Sequence, residues 1–174
     1  ERYNLSSRKN WLQMIGSNET LSEAKSSPTF IGRRQQHFNC TASTKISIEA
    51  ESENVEAGIA AYYNDSYHYE VFIAKKKNSY DVGLRKKVHD IEVITNSIAI
   101  EYRDHIELRI KTDRKYYYFE YRLPGDEWRS VGKGMTAGLC TEGTHTMTFT
   151  GTFIGLYCVN GTAYFDWFKY IGED

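Results

Sequence analysis

Two carboxylates aimed into one cleft can cleave a glycosidic bond, standing about 5–5.5 Å apart for retention of configuration and about 6.5–9.5 Å apart for inversion. Alternate spacing along a strand offers two such sets here, Glu49/Glu51/Glu53 and Asp90/Glu92. The first runs off the end of an alternating segment into the polar stretch Ala50–Glu56, where a charge run reads as a solvated edge. His37, His68, His89, His105 and His145 stand in different segments without metal-ligand spacing such as HExxH. Cys40, Cys140 and Cys158 are an odd set without a CxxC pair, expected to be buried thiols, and a Cys140–Cys158 disulfide stays open. Gly132, Gly134 and Gly138 precede no helix in a phosphate-loop pattern, and a nucleophile elbow is missing. The residues alone give no catalytic set.

The chain has 174 residues, room for one domain at roughly 100–200 residues each. Its 22 basic and 23 acidic side chains leave no net field to draw in a polyanion, so no nucleic acid partner is expected. No apolar run reaches the roughly 18–20 residues of a spanning helix, so no membrane partner is expected, and the N-terminus carries no signal pattern. The first residue is Glu1, which is expected to follow a segment cut away; whether the protein is secreted or cytoplasmic depends on that segment. Five of the nine asparagines sit in Asn-x-Ser/Thr sequons, a hint of export too weak to settle location.

Any site must be held by strands. Few prolines and many aromatic and β-branched residues suit a pleated, half-buried surface. From Lys45 onward, short runs alternate in period two between Gly, Asn, Asp and Pro-Gly breaks. Hairpins are expected at Asn64-Asp65-Ser66, Arg103-Asp104, Pro124-Gly125-Asp126 and Asn160-Gly161. Separate strands are expected at Ile91–Ile94 and Ser97–Tyr102. Lys115–Leu123 is apolar or aromatic in both phases and reads as a central strand, and the last two strands are Gly151–Val159 and Thr162–Ile171. Residues 1–30 are looser, with a strand at Trp11–Ile15 and a Ser-rich linker at Ser22–Pro28. Ten or more short strands in one domain require two packed sheets, so the expected fold is an all-β, two-sheet antiparallel β-sandwich over residues 1–174.

Four segments in order carry a family likeness: Thr29-Phe-Ile-Gly-Arg-Arg-Gln-Gln-His-Phe38, Ala57-Gly-Ile-Ala-Ala-Tyr-Tyr-Asn64, Phe149-Thr-Gly-Thr-Phe-Ile-Gly-Leu156 and Ala163-Tyr-Phe-Asp-Trp-Phe-Lys-Tyr170. With Tyr3–Leu12 and the Tyr118–Trp128 hairpin, they resemble the concanavalin A-like C-terminal domain of glycoside hydrolase family 43 β-xylosidases. The resemblance implies a jelly-roll, concanavalin A-like sandwich that is a fragment of a longer xylan-degrading hydrolase. In that family the catalytic Asp and Glu sit on a separate five-bladed propeller, so the implied function is a non-catalytic accessory domain that packs on the propeller and helps shape its pocket.

The resemblance also implies a pocket-narrowing loop whose aromatic tip matches Phe149, flanked by Thr148 and Thr150. The residues leave a second reading open, because Phe149, Gly151 and Phe153 share a strand phase and Phe149 would then be core. Sandwiches of this type sometimes hold a structural Ca²⁺ through the Asp of the closing strand, which makes Asp166 a candidate calcium ligand, and no other cofactor is implied. The rival function is an independent carbohydrate-binding module for xylan or arabinan, a plant cell-wall polysaccharide, with Tyr62, Tyr67 and Trp128 as candidate sugar contacts.

Overall fold

The computed structural model describes residues 1–23 and 25–173. Ala24, in the expected Ser-rich linker, and Asp174 lie outside the described residues. The strands are β1 (Tyr3–Asn4), β2 (Leu12–Ile15), β3 (Thr29–Arg34), β4 (Cys40–Ile48), β5 (Asn54–Asn64), β6 (Tyr67–Lys76), β7 (Ser79–Val88), β8 (Ile91–Ala99), β9 (Ile106–Thr112), β10 (Tyr116–Arg122), β11 (Arg129–Met135), β12 (Phe153–Val159) and β13 (Thr162–Gly172). Between β11 and β12 run a 3₁₀ turn (Thr136–Leu139) and the one-turn helix α1 (Thr141–Thr144). A seven-stranded sheet takes the order β1-β2-β13-β4-β9-β10-β11, and a six-stranded sheet the order β3-β12-β5-β6-β7-β8.

Period-two alternation builds the core between the sheets. Ile46 and Ile48 of β4, Ile106, Leu108 and Ile110 of β9, and Tyr117, Phe119 and Tyr121 of β10 meet Ile59, Val71, Ile73, Leu84, Ile154 and Leu156 from the other sheet. A smaller apolar layer forms on the outer face of the six-stranded sheet, where Leu21 comes down on Ala60, Phe72, Tyr157 and Val159. That second layer explains why Ala57–Tyr63 is apolar in both phases: each face of β5 is covered.

The hairpins at Asn64–Ser66 and Pro124–Asp126 form as expected, joining β5 to β6 and β10 to β11. Two others do not. Asn160 and Gly161 take left-handed backbone (φ 51° and 60°), but β12 pairs with β3 and β5 while β13 pairs with β2 and β4. The turn therefore carries the chain from one sheet to the other. Local turn chemistry sets a reversal, while burial of Cys158 and Ala163 in one core chooses the partners. Arg103-Asp104 likewise bridges β8 of one sheet and β9 of the other. Ile91–Ile94 and Ser97–Tyr102 do not form two strands: they fuse into β8, which absorbs the irregularity as a bulge against Leu84/Arg85.

The aromatic run Tyr116–Arg122 is no central strand. It lies one in from the β11 edge and buries only alternate residues. Its outer face is shielded by charge, with Arg109 on Glu120 at 2.6 Å and Arg122 on Glu107 at 2.7 Å. All three cysteines are free, so the open Cys140–Cys158 pairing is not made.

Candidate functional site

Strand register puts the C-terminal ends of β3, β5, β7, β9, β11 and β13 beside the N-terminal ends of β4, β6, β8, β10 and β12, at one end of the sandwich. The sheets are tied there by the Tyr117 hydroxyl, which donates to Gln35 Oε1 at 2.6 Å, and by that of Tyr69, which donates to Met135 O at 3.0 Å. Burial pushes the Tyr69 hydroxyl up to about 12, so it stays a neutral donor.

This end carries the 136–152 loop. Its base is packed close: a Cβ on Gly138 would stand 2.0 Å from the Tyr69 hydroxyl, and one on Gly143 1.8 Å from the Ala137 carbonyl. Tyr63, at the end of β5, holds the middle of the loop. Its hydroxyl donates to Thr146 O at 2.6 Å, meets Thr141 Oγ1 at 2.9 Å and accepts the Thr148 N–H at 3.3 Å. The Tyr67 hydroxyl donates to Thr144 O at 3.4 Å, and Thr152 Oγ1 donates to Leu139 O at 2.8 Å. Thr148 is drawn inward by these contacts, while Thr150 is exposed.

Phe149 stands at the tip, 92% exposed, with Met147 beside it in sequence at 72%. The strand-phase reading of Phe149 as core fails because β12 begins only at Phe153, after Gly151 turns the chain at φ +69°. More apolar side chains project at the same end: Met135 from β11 at 61% and Ile91 from β8 at 65% exposure. Large apolar groups gathered on one surface mark an interaction site. Beside the loop base lies a hollow of about 210 Å³ bordered by Gln35, His37, Phe38, Tyr117, Leu139 and Cys140.

The other expected site residues fall elsewhere and apart. Tyr67 is buried and cannot reach a ligand. Tyr62 is half-buried on the outer face of the six-stranded sheet, between the rings of Phe30 at 5.5 Å and His68 at 5.7 Å. Trp128 lies on the outer face of the seven-stranded sheet, over the guanidinia of Arg109 at 4.0 Å and Arg122 at 4.7 Å. Asp166 pairs with Lys45 Nζ at 3.1 Å, and among the described residues no three His, Cys, Asp or Glu side chains gather to hold a metal. Of the spaced carboxylates, Glu49 accepts the Tyr164 hydroxyl at 3.1 Å, Asp90 faces His89, and Glu92 faces Arg85 and Lys87.

Sequence reasoning missed a buried ionic cluster. Arg85 of β7 grips Glu56 of β5 with both terminal nitrogens, at 2.6 and 2.7 Å, and meets Glu70 of β6 at 2.7 Å. His68 Nε2 stands 3.1 Å from Glu70, and the Tyr157 hydroxyl donates to Glu56 at 2.8 Å. Burial raises Glu56. Burial also acts to raise Glu70, but the His68 hydrogen bond and the Arg85 charge outweigh it and hold Glu70 below the usual carboxylate range. One signal was available: Phe72 shares the phase of His68 and Glu70, which a solvent-facing phase would not tolerate easily.

A family model described as the β-xylosidase C-terminal concanavalin A-like domain matches residues 1–171. The chain belongs to that family. It is 33% identical over 150 residues to a non-reducing end α-L-arabinofuranosidase of Bacteroides ovatus, covering 83% of this chain and 28% of that protein. It is also 26% identical over 178 residues to a xylan 1,3-β-xylosidase of a Vibrio species, covering 96% of this chain and 32% of that one. Among solved structures, a Bacteroides ovatus xyloglucan PUL family 43 protein superposes with a TM-score of 0.88 at 29% identity, over 99% of this chain and 34% of its own. The domain thus spans about a third of the length of these relatives.

Proposed function

We propose that this domain is a non-catalytic accessory part of a family 43 glycoside hydrolase of the β-xylosidase or α-arabinofuranosidase type, acting on pentose-containing plant polysaccharide. In this reading its loop-bearing end docks on the catalytic propeller and Phe149 narrows the substrate pocket. The observation that carries it is Phe149 itself: an aromatic ring left 92% in water at the tip of a loop whose middle Tyr63 anchors. Water exposure of such a ring is costly unless a partner covers it, and Met147, Met135 and Ile91 extend the same apolar end. The relatives, of which the domain is about a third, support a partner within the same polypeptide.

Burying a Phe side chain is worth about 1.5–3 kcal/mol. In the full-length enzyme, Phe149→Ala is therefore expected to lower kcat/KM for an aryl β-xyloside or α-arabinofuranoside by about ten- to a hundredfold. Melting of the domain should stay as it was. Unchanged kinetics would take the loop away from the pocket.

A further inference from the structure

His68 is fully buried, and each of its ring nitrogens faces an acceptor. Nδ1 stands 3.1 Å from the Asn64 carbonyl, which can only accept, and Nε2 stands 3.1 Å from Glu70 Oε1. A neutral imidazole has one N–H and one lone pair, so Nδ1 would serve Asn64 and Nε2 would turn its lone pair on a carboxylate. Glu70 is the poorer place for a proton: an imidazole is ordinarily the stronger base, and Arg85 on Glu70 Oε2 at 2.7 Å favours the carboxylate. Ser22 Oγ, 3.4 Å from Nε2, has a single proton, which it donates to Glu92 Oε2. Hydrogen-bond geometry therefore puts a proton on both nitrogens of His68.

The surrounding charges lead to the same protonation. Strand register lines up Tyr62 of β5, His68 of β6, Lys87 of β7 and Glu92 of β8 in one row on the outer face of the six-stranded sheet, with Glu70 and Arg85 opposite each other in the next. The Tyr62 ring stacks on His68 at 5.7 Å, and burial keeps its hydroxyl uncharged. Ion pairs join the other groups: Arg85 to Glu56, Glu70 and Glu92, and Lys87 to Glu92. Three carboxylates thus share two permanent cations, and an imidazolium at His68 brings the sum to zero. A proton on Glu56 would balance the charge too, but both Glu56 oxygens already accept from Arg85, one of them from Tyr157 as well. The lone-pair conflict at Nε2 would also remain.

We infer that His68 is an imidazolium at neutral pH and that its proton latches the chain at Leu21 and Ser22 over the cluster. Docking of Phe149 plays no part in it. Loss of the Nε2 proton would leave Glu70 Oε1 buried without its donor and facing a lone pair, while the single Ser22 hydroxyl would be drawn to both Nε2 and Glu92. A buried carboxylate oxygen stripped of its donor is relieved by water, which reaches it when Leu21 and Ser22 lift. The cover is closed while His68 is charged and opens as pH rises through the loss of that proton.

The test is NMR of the full-length enzyme with its histidine nitrogens isotope-labelled, the His68 signal being the one that is lost in His68→Gln and that moves in Ser22→Ala. At neutral pH both ring nitrogens of His68 should resonate together, as in an imidazolium, and should split only as pH is raised. Glu92→Gln removes one carboxylate at a partly exposed position, so in that variant His68 should give up its proton at a lower pH than in the parent. Amide exchange of the peptide carrying Leu21 and Ser22, divided by the intrinsic rate at each pH, should quicken about tenfold across the same step, the value of one hydrogen bond to a charged group. In Ser22→Ala that peptide should exchange fast at every pH while His68 still titrates. Phe149→Ala should match the parent throughout, so failure of the pocket reading and failure of this one are told apart. Three results would overturn the inference: ring nitrogens already split at neutral pH in the parent, His68 titrating in Glu92→Gln as it does in the parent, or exchange of the Leu21–Ser22 peptide that ignores the charge on His68.

Discussion

At the residue scale, the cluster around Arg85 is the feature with the largest stake in stability. Two carboxylates, an arginine, a histidine and a tyrosine are held in a layer sealed by Leu21 and Phe72. Removing one partner of such a set strands the others, at a cost of about 3–5 kcal/mol. Glu70 is held below its ordinary value of 4.5, so its contribution is complete above that pH and is lost as pH falls through the lower folded value. Glu70→Gln should therefore reduce the melting temperature by on the order of 10 °C at pH 7. The gap to the parent should close as calorimetry is repeated below pH 4.5. A gap independent of pH would assign Glu70 a packing role only. Glu56, raised by burial, runs the other way: its ionisation costs stability as pH rises, so a Glu56→Gln gap should narrow toward neutral pH.

At the scale of elements, the 136–152 loop is defined by where the chain is allowed to turn. Gly151 has φ +69° and open surroundings, the nearest atom to an added Cβ being Arg34 Nε at 4.0 Å. Gly151→Ala should cost only the backbone penalty, about 1 kcal/mol, or about 2–4 °C in melting temperature. Gly155 is the contrast. There a Cβ would meet the Gly32 Cα and the Ile31 carbonyl, each at 2.4 Å, so Gly155→Ala must part β3 from β12. Differential scanning calorimetry of the two variants should rank Gly155→Ala well below Gly151→Ala; equal losses would mean that the loop base, rather than the β3–β12 contact, limits stability.

At the scale of the whole molecule, both sheets bury their inner faces in one cluster, and the chain crosses between sheets at Asn160-Gly161 and at Arg103-Asp104. Neither sheet keeps its inner face buried without the other. The domain should unfold in one cooperative step. All three tryptophans report on the seven-stranded sheet, while far-UV circular dichroism reports on both. The two signals should trace coincident urea transitions, and fluorescence changing ahead of ellipticity would show the sheets melting separately.

Alternation, turn residues and the absence of a helical period determined the sandwich, because a period of two with one apolar phase can be buried only by packing one sheet on another. The four quoted segments carried the family, since their order and side chains are properties of the chain itself. Exposure was not in the sequence. Phe149 reads equally as core or tip until Gly151 is seen to turn the strand, and Tyr67 and Tyr62 read as surface rings until the loop and Phe30 are seen to cover them. Strand partners were also left to the tertiary structure, because an Asn-Gly turn fixes only local dihedral angles and is silent about which sheet each arm will join. The same holds for Glu56, Glu70 and Arg85: the pairing register of β5, β6 and β7 within one sheet sets them side by side, and no local pattern encodes that register.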